Sequence, residues 1–339
     1  MSPARKILYG IGAIVLLVIA IGVFLPSTGH VERETTIDAH PATVFALVND
    51  VHPMLEWSPW IAADRQSTLA FSGPDMGVNA VVRWNGAADG QGSLRIVESV
   101  PFERVTGNLV LDGKEALSSF GLTRSDGGTG VVWEFDIDFG NDLIGRYSGL
   151  FLERAIGGDY EQGLVNLKTM AESLPRADFS DAQIERMVVD PIDIAYLTTT
   201  SQPDAAAISE AMGEAYFNIL QFMDRNGLEE AGPPLSINRS FSGSELLFDA
   251  AIPVRGITAD TPRSADGVKL GQTRGGTVIR ASHTGSYRHL GRTHEKISAY
   301  LAAHGIERNG DAWESYVSDP TQTAEPELLT YIYYPVKER

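Results

Sequence analysis

The sequence predicts an α+β protein in which a single apolar helix precedes two soluble domains. Three observations support this prediction: an uncharged stretch of nineteen residues near the N-terminus, a series of extended segments closed by a long helical pattern, and an internal repeat in the C-terminal half. A chain of 339 residues exceeds one ordinary domain and suits two. The predicted ranges are 1–30 for the apolar helix, 31–174 for the first domain, 175–184 for a linker and 185–339 for the second domain.

The composition argues against several classes of function. The formal net charge is −17, and the sequence contains no cysteine. Nucleic acid is not an expected partner, because binding phosphate groups requires clustered Lys and Arg. Without cysteine the chain has no disulfide, no thiol nucleophile and no cysteine-based metal site. The acidic balance indicates a soluble, self-repelling surface and a field that favours cationic ligands.

The apolar stretch Ile7–Leu25 is predicted to span a membrane. As a helix it is about 28 Å long, close to the roughly 30 Å of the hydrocarbon core. A cleaved signal peptide is the alternative, but its apolar run is shorter and a small-x-small site follows it. The letters at 24–27, FLPS, form a poor site of that kind. Arg5 and Lys6 precede the stretch, and basic residues beside a spanning helix stay on the cytoplasmic side. We therefore expect a protein of the bacterial inner membrane with both domains outside the cytoplasm.

The first domain alternates extended segments with glycine-rich turns. Six segments have extended patterns: 35–39, 80–84, 93–99, 104–111, 116–123 and 131–139. A short amphipathic helix with Pro41 near its start follows the first of them. A helical pattern over about 143–174 closes the domain, and Gly157 and Gly158 are predicted to kink it. This order predicts an antiparallel sheet that wraps around one long helix.

Four motifs stand out in this domain. They are Ile37-x-Ala39-x-Pro41-x-x-Val44-Phe45, Trp57-Ser58-Pro59-Trp60, Gly130-Val131-Val132-Trp133 and Tyr160-Glu161-x-Gly163-Leu164-x-x-Leu167-Lys168. Together they resemble the START-like SRPBCC superfamily, and its membrane-tethered polyketide-cyclase-type members most closely. The resemblance implies a helix-grip fold with a cavity for apolar ligands, and no fixed chemistry. Trp57, Trp60, Trp84 and Trp133 either line this cavity or pack in the core, and Trp84 and Trp133 are the two expected to face inwards.

The second domain contains an internal repeat. Each half begins with a strand, which is followed by a helix that ends at a glycine. Each half ends with an extended segment that begins with Glu-Leu-Leu, continues with alternating residues and finishes with Pro-Val. Counting from the two glycines aligns Ser236 with Glu314, and Asn238 with Tyr316. The repeat predicts a pseudo-twofold α+β domain with a cleft between its halves.

Glu314 breaks this symmetry, because the aligned residue of the first half is a serine. Alternation along a strand places Glu314 and Tyr316 on one face and Trp313 on the other. A partly desolvated carboxylate in a cleft would attract a cation, or would have a raised pKa suited to acid–base chemistry. Nearby aromatic rings would add cation–π contact. A solvated strand glutamate is the alternative.

Four further motifs lie in this domain. They are Ala251-Ile252-Pro253-Val254, His283-Thr284-Gly285-Ser286-Tyr287, Trp313-Glu314-Ser315-Tyr316 and Tyr333-Tyr334-Pro335-Val336. Together they resemble the GyrI-like family, which includes effector-binding domains of AraC-type and MerR-type regulators. The resemblance implies a pocket for amphipathic, often cationic, small molecules with an acidic residue at Glu314; some members hydrolyse cyclopropane-bearing compounds. The ligand-binding candidates are Glu314, Tyr316, Trp313, Tyr287, His283 and Tyr216, with Trp84 and Trp133 in the first domain.

Three functions are compatible with this sequence. The favoured one is a non-enzymatic binding protein at a membrane that senses or sequesters an amphipathic compound, because no complete catalytic set is visible. The second is a hydrolase with Glu314 as general base. The third is a lipid-transfer module in which the cavity of the first domain is primary. No cofactor or metal is expected, since His283, His289 and His294 lack metal-ligand spacing. A hydrogen-bonding role at a strand end is favoured for His283 over that of a base.

The side of the membrane is a testable prediction. Protease added to intact spheroplasts should remove an epitope tag at the C-terminus, because residues 31–339 are expected outside the cytoplasm. The measurement is an immunoblot before and after protease treatment. Full protection of the tag in spheroplasts, with digestion only after detergent lysis, would contradict the prediction.

Overall fold

The computed structural model of the chain describes residues 3–59, 68–86, 91–111 and 113–338. The chain divides into two compact units, the first made mainly of residues up to Asp178 and the second mainly of residues from Phe179 onward. The fold class is α+β, as predicted. The finer domain bounds given above stay predictions.

The first unit begins with the apolar helix α1 (Pro3–Phe24). Within it, Ile7–Phe24 has a mean hydropathy of 2.8, and 6% of this window is buried inside the protein. By length and composition the helix could cross a membrane, and a signal sequence would pass the same test. A short connection then leads into the first strand, which starts at Thr28.

The described part of the first unit contains a seven-stranded antiparallel sheet with the order β1-β7-β6-β5-β4-β3-β2. Its strands are β1 (Thr28–Ile37), β2 (Thr68–Ser72), β3 (Val81–Asn85), β4 (Gln91–Val100), β5 (Arg104–Leu111), β6 (Lys114–Ser125) and β7 (Gly128–Asp138). The first strand starts seven residues earlier than predicted, because β1 pairs with β7 over its whole length, from Thr28↔Asp138 to Ile37↔Thr129. Strand β2 was missed. Charged residues along β1 hide the alternation that would have marked it.

Four more helices belong to this unit. In chain order they are α2 (Pro41–Asn49), α3 (Met54–Trp57), α4 (Leu143–Gly149) and α5 (Leu152–Ser173). Residues of α2, α3 and α5 share a hydrophobic core with the sheet. The predicted start of α2 is confirmed, with Pro41 in its first turn and the His40 ring accepting from the amide of Ala42 at 3.3 Å. The buried face of α5 includes Tyr160, Leu164, Leu167 and Ala171, whose spacing of four, three and four residues is that of an amphipathic helix.

Helix α5 continues without a break through Gly157 and Gly158, and the helical pattern is interrupted earlier, between Gly149 and Leu152. The kink at the two glycines stays a prediction. A Cβ at position 157 would lie 2.5 Å from the guanidinium of Arg33. Gly157 therefore allows the close approach of another side chain.

The described part of the second unit contains a ten-stranded sheet with the order β13-β14-β9-β12-β11-β16-β17-β15-β8, and β10 pairs with β12. Its strands are β8 (Ile184–Val189), β9 (Asp193–Ser201), β10 (Glu229–Glu230), β11 (Leu235–Phe241), β12 (Leu246–Arg255), β13 (Ser264–Ala265), β14 (Val268–Gln272), β15 (Gly276–Thr284), β16 (Trp313–Tyr316) and β17 (Leu329–Pro335). Helices α6 (Ala205–Asn226) and α7 (Leu290–Ala303) pack on one face of this sheet.

The strand order reflects the internal repeat. Reading outward from the centre, β11, β12, β9 and β14 on one side correspond to β16, β17, β15 and β8 on the other. At the centre β11 pairs with β16, and Ser236 lies opposite Glu314. Helix α6 ends at Gly227 with φ of 65°, and Gly305 follows α7 with φ of 59°, so both helices end at a left-handed glycine.

Two hydrogen bonds at the centre show that the halves are related by a pseudo-twofold axis. The amide of Asn238 donates to the carbonyl of Ala312 at 2.9 Å, and the amide of Tyr316 donates to the carbonyl of Pro234 at 3.0 Å. Because the sequence aligns Asn238 with Tyr316, and position 234 with position 312, each bond is the symmetry mate of the other. The axis therefore passes through the Ser236–Glu314 pair, as the register from the sequence requires.

Close packing of α5 gives a testable prediction. A Cβ at Gly163 would lie 2.6 Å from the ring of Trp133 and 3.0 Å from Pro59. Gly163→Ala should therefore destabilise the first unit by about 1–2 kcal/mol, since overpacking outweighs the gain in helix propensity. Unfolding of the detergent-solubilised chain by heat or denaturant, followed by tryptophan fluorescence, measures the effect.

The matched control lies one and a half turns earlier in the same helix. Gly158 is exposed and has open space at its Cβ position, so Gly158→Ala should stabilise by about 0.5–1 kcal/mol. Equal effects of the two substitutions would contradict the packing argument.

Candidate functional site

Glu314 lies at the centre of the ten-stranded sheet, on the face that α6 and α7 cover. Its Oε1 accepts a hydrogen bond from Nε2 of His294 at 2.8 Å, and its Oε2 accepts from the hydroxyl of Tyr316 at 2.5 Å. The side chain of Glu314 is 12% exposed. The residue is thus a buried carboxylate with both oxygens engaged, and the alternative of a solvated strand glutamate does not hold.

His294 connects Glu314 to a second strand. Its Nδ1 lies 2.8 Å from the hydroxyl of Tyr334, which is buried on β17. The imidazole is thereby held between β16 and β17, with one ring nitrogen bonded to Glu314 and the other to Tyr334.

The pKa of Glu314 lies below its ordinary value of 4.5. Burial by itself raises this pKa, but the hydrogen bond and charge of His294, followed by hydrogen bonds from Tyr316 and Asn238, favour the ionised form and outweigh burial. The raised pKa that the sequence allowed for acid–base chemistry is therefore wrong. Glu314 is a buried, ionised carboxylate at neutral pH.

Tyrosine side chains approach this carboxylate from different elements. The ring of Tyr287 meets that of Tyr316 edge to face, with 5.3 Å between centroids, and the hydroxyl of Tyr216 on α6 donates to the carbonyl of Leu235 at 2.9 Å. Burial, and next the charge of Glu314, raises the pKa of Tyr216 and of Tyr316, and burial raises the pKa of Tyr287. All of these phenols are therefore neutral at neutral pH and present ring faces and hydroxyls to the carboxylate's surroundings.

Trp313 lies on the opposite face of β16. It packs with Leu235, Ile237 and their neighbours, and its ring stacks on Tyr333 with 4.9 Å between centroids and 9° between planes. Successive residues of a strand point to opposite faces, so Trp313 cannot reach the side that Glu314 occupies. The structure therefore does not bring this candidate to the carboxylate.

His283 is also held away from Glu314. Its Nδ1 lies 2.8 Å from the hydroxyl of Thr293, and its Nε2 lies 3.1 Å from the carbonyl of Ser286. With both ring nitrogens bonded, His283 joins the end of β15 to α7 and to the turn that carries Tyr287. Its position fits the hydrogen-bonding role favoured from the sequence.

Sequence reasoning missed His294, Tyr334 and Asn238. His294 was set aside because it lacks metal-ligand spacing, yet it lies four residues after Leu290 and three before Ile297, both buried on α7. That spacing places a histidine on the buried face of an amphipathic helix. This signal was present in the sequence and would have pointed to a partner inside the domain.

A small cavity lies in the first unit, between the sheet and α3. Its volume is about 30 Å³, enough for one or two water molecules. The rings of Trp57, Trp84, Phe120 and Trp133 contribute to its wall, so both tryptophans expected to face inwards do so. Trp60 lies outside the described residues. The cavity is too small for a lipid, and the aromatic side chains around it serve mainly as core.

The two inward tryptophans differ in their hydrogen bonding. The indole nitrogen of Trp133 donates to the hydroxyl of Ser118 at 2.8 Å, and the Trp133 ring stacks on Phe120 with 4.8 Å between centroids. The indole nitrogen of Trp84 is buried and has no hydrogen-bond partner among the described residues. A buried donor without a partner costs about 1–3 kcal/mol.

Comparison with protein families identifies both units. Residues 28–172 match the family model described as polyketide cyclase / dehydrase and lipid transport. Residues 189–337 match the family model of the GyrI-like small molecule binding domain. The chain combines an SRPBCC-type domain with a GyrI-like domain. Both resemblances drawn from the sequence are thereby confirmed, and both family descriptions indicate the binding of small molecules.

Solved structures with a detectable likeness share little sequence with this chain. The C-terminal domain of EcmrR is 13% identical, with 47% of this chain and 99% of that chain covered and a TM-score of 0.41. A protein from Chromobacterium violaceum is 17% identical, with 42% and 98% covered and a TM-score of 0.33. A hydrolase from Listeria innocua is 16% identical, with 45% and 91% covered and a TM-score of 0.34. No curated protein matches the chain significantly. These likenesses say nothing about its activity.

The contact between His294 and Glu314 gives a prediction on stability. His294→Ala should destabilise the domain by about 3 kcal/mol at pH 7, because it leaves one oxygen of the buried carboxylate of Glu314 without its hydrogen-bond donor. Denaturant unfolding of the purified chain measures the difference. The exposed His289, at the turn before α7, is the matched control, and His289→Ala should change the free energy of unfolding by less than about 0.5 kcal/mol.

The sign of the pH dependence follows from the lowered pKa of Glu314. A carboxylate with a lower pKa in the folded state stabilises the fold above its unfolded pKa, and this stabilisation is lost as the pH falls through the folded pKa. The difference between wild type and His294→Ala should therefore shrink below pH 4.5. A difference that stays constant down to pH 3 would show that the histidine acts by packing alone.

Proposed function

We propose that the protein is a membrane-anchored binding protein for an amphipathic, cationic small molecule, with Glu314 as the carboxylate that recognises the ligand's charge. The single observation that carries this proposal is a buried, ionised carboxylate on the pseudo-twofold axis of a domain whose family binds small molecules. Its pseudosymmetric mate is Ser236, so the charge belongs to one half alone.

The surroundings of Glu314 suit a cation. The hydrogen bonds from His294 and Tyr316 hold the carboxylate of Glu314 in one orientation. A ligand cation beside it would lie in a place of low dielectric, where charge pairs interact more strongly than in water. A ligand that displaces the hydroxyl of Tyr316 from Oε2 gains this interaction directly.

Aromatic rings add a second source of affinity. Tyr216, Tyr287 and Tyr316 lie around the carboxylate on α6, on the turn before α7 and on β16. A cation over the face of a tyrosine ring gains about 0.5–2 kcal/mol, depending on desolvation. The apolar part of an amphipathic ligand is buried against the same rings, which supports a cation with a hydrophobic body over a small inorganic ion.

The geometry favours binding over the hydrolase alternative. A general base is most effective when its pKa lies near the working pH, and the pKa of Glu314 is lowered. Both carboxylate oxygens are already hydrogen-bonded, by His294 and Tyr316. The lipid-transfer alternative asks for a large cavity in the SRPBCC-type domain, and the cavity lined by the described residues there has a volume of about 30 Å³.

Helix α1 completes the proposal as a single-pass anchor in a bacterial inner membrane, with the residues after position 30 outside the cytoplasm. The length and hydropathy of Ile7–Phe24 support the anchor, and Arg5 and Lys6 on its N-terminal side support this orientation. The SRPBCC-type domain at 31–174 and the GyrI-like domain at 185–339, joined by the linker 175–184, then form the exposed part of the protein.

Binding of a hydrophobic cation tests the role of Glu314. Glu314→Gln should weaken binding of tetraphenylphosphonium at least tenfold, about 1.4 kcal/mol, because it removes the negative charge and keeps the shape. Binding of neutral triphenylphosphine oxide should change much less. Isothermal titration calorimetry on the detergent-solubilised chain measures both ligands.

A control glutamate in the same domain separates local from general charge effects. Glu230 lies exposed on β10, and Glu230→Gln removes the same charge without touching the site. This control should bind tetraphenylphosphonium like the wild type. If Glu314→Gln folds and binds the cation as tightly as the wild type does, the proposed recognition is wrong.

A further inference from the structure

Helix α4 lies alongside the last turns of α1. The hydroxyl of Tyr147 donates to the carbonyl of Val18 at 2.6 Å, and a Cβ added to Gly22 would lie 3.0 Å from the Tyr147 ring. Val18 and Gly22 are one helical turn apart, so the glycine leaves the space through which Tyr147 reaches the backbone of α1. The two helices therefore meet in a specific contact.

Arg146 caps the end of α1. Its Nη1 donates to the carbonyl of Val23 at 2.9 Å and to that of Leu25 at 3.3 Å. The last carbonyls of a helix have no partner within the helix, and an unpaired carbonyl near lipid is costly. The segment that contains α4 thus supplies hydrogen bonds at the point where the apolar helix ends.

The depth of this contact along α1 matches that of an interfacial helix. The apolar window ends at Phe24, and Val18 lies six residues earlier, about 9 Å along the axis at 1.5 Å per residue. Amphipathic helices that lie in a membrane interface bury their apolar face about 5–10 Å deep. If α1 spans the bilayer, α4 lies at the depth of the headgroups and the first part of the acyl chains.

Large apolar side chains of this segment face away from the domain. Ile144 is 79% exposed, Leu150 56% and Phe151 66%, and Phe24 at the end of α1 is 88% exposed. Apolar groups exposed together beside a spanning helix indicate a surface that lipid covers. Tyr147 and Arg146 in the same segment are residue types that favour the interface, where a polar tip remains hydrated.

The charges beside the segment do not oppose contact with headgroups. Asp142 lies 3.6 Å from the amine of Lys114, and Glu153 forms an ion pair with Arg33. These carboxylates are therefore compensated within the domain. Only three residues separate the end of α1 from the start of β1 at Thr28, so the domain has no long tether that could carry it away from the bilayer.

We propose that Leu143–Phe151 is a membrane-docking surface, which inserts Ile144, Leu150 and Phe151 into the leaflet at which α1 ends. The occupant of this surface is the lipid bilayer. The inference rests on the proposed role of α1 as an anchor and goes beyond it, because it holds the SRPBCC-type domain flat on the membrane surface.

Single-cysteine labelling tests the docking surface. The chain has no cysteine, so Ile144→Cys, Phe151→Cys, Leu16→Cys and Val165→Cys each give one labelling site for an environment-sensitive fluorophore. The labelled full-length chain is reconstituted into phosphatidylcholine vesicles with or without brominated acyl chains, which quench fluorophores in contact with them. Val165 is the control, because it is 57% exposed on α5.

Labels at positions 144 and 151 should be quenched at least half as strongly as the label at position 16 inside α1, and the label at 165 should not be quenched. Quenching at 16 alone, with 144 and 151 behaving like 165, overturns the inference and leaves the anchor in place. Absence of quenching at 16 contradicts the anchor itself. Oxidative cross-linking of Ile144→Cys between chains, without quenching by lipid, would make a second copy the occupant and also overturn the inference.

Discussion

The pairing of β11 with β16 is the constraint on which the GyrI-like domain depends. It joins the two halves of the repeat into one sheet and places Ser236 opposite Glu314. Because the pseudo-twofold axis passes through this pair, α6 and α7 cover the same face and their side chains converge on the centre. His294 from α7 and Tyr216 from α6 reach the surroundings of Glu314 for this reason alone, although they are 78 residues apart in the chain.

The ionised carboxylate of Glu314 is stable in this buried place only because its hydrogen-bond partners are buried beside it. Transfer of an isolated carboxylate from water into protein is expensive, and the usual outcome is a raised pKa. Here the imidazole of His294 and the hydroxyl of Tyr316 bond separate oxygens, and the pKa falls. The same groups fix the carboxylate in one orientation. In the binding site that we propose, less of the binding free energy would therefore be lost to ordering side chains.

Sequence patterns predicted those features of the site that depend on local periodicity. The repeat register and strand alternation predicted the place of Glu314, the face of Tyr316 and the separation of Trp313. They could not predict which side chains pack over a given residue, since that depends on contacts between segments distant in the sequence. His294 was missed for this reason, and so was the close approach of Arg33 from β1 to Gly157.

The position of Glu314 on the axis also limits how such a site can arise. Two identical chains with this architecture would meet with the same residue on both sides of the central pair. Glutamate at both places would bring two carboxylates within about 5 Å, and one of them would have to take up a proton. Joining the halves in one chain removes that requirement, so Ser236 and Glu314 can differ. A carboxylate that faces a different residue across the centre of symmetry is therefore possible in a fused duplication and impossible in a homodimer.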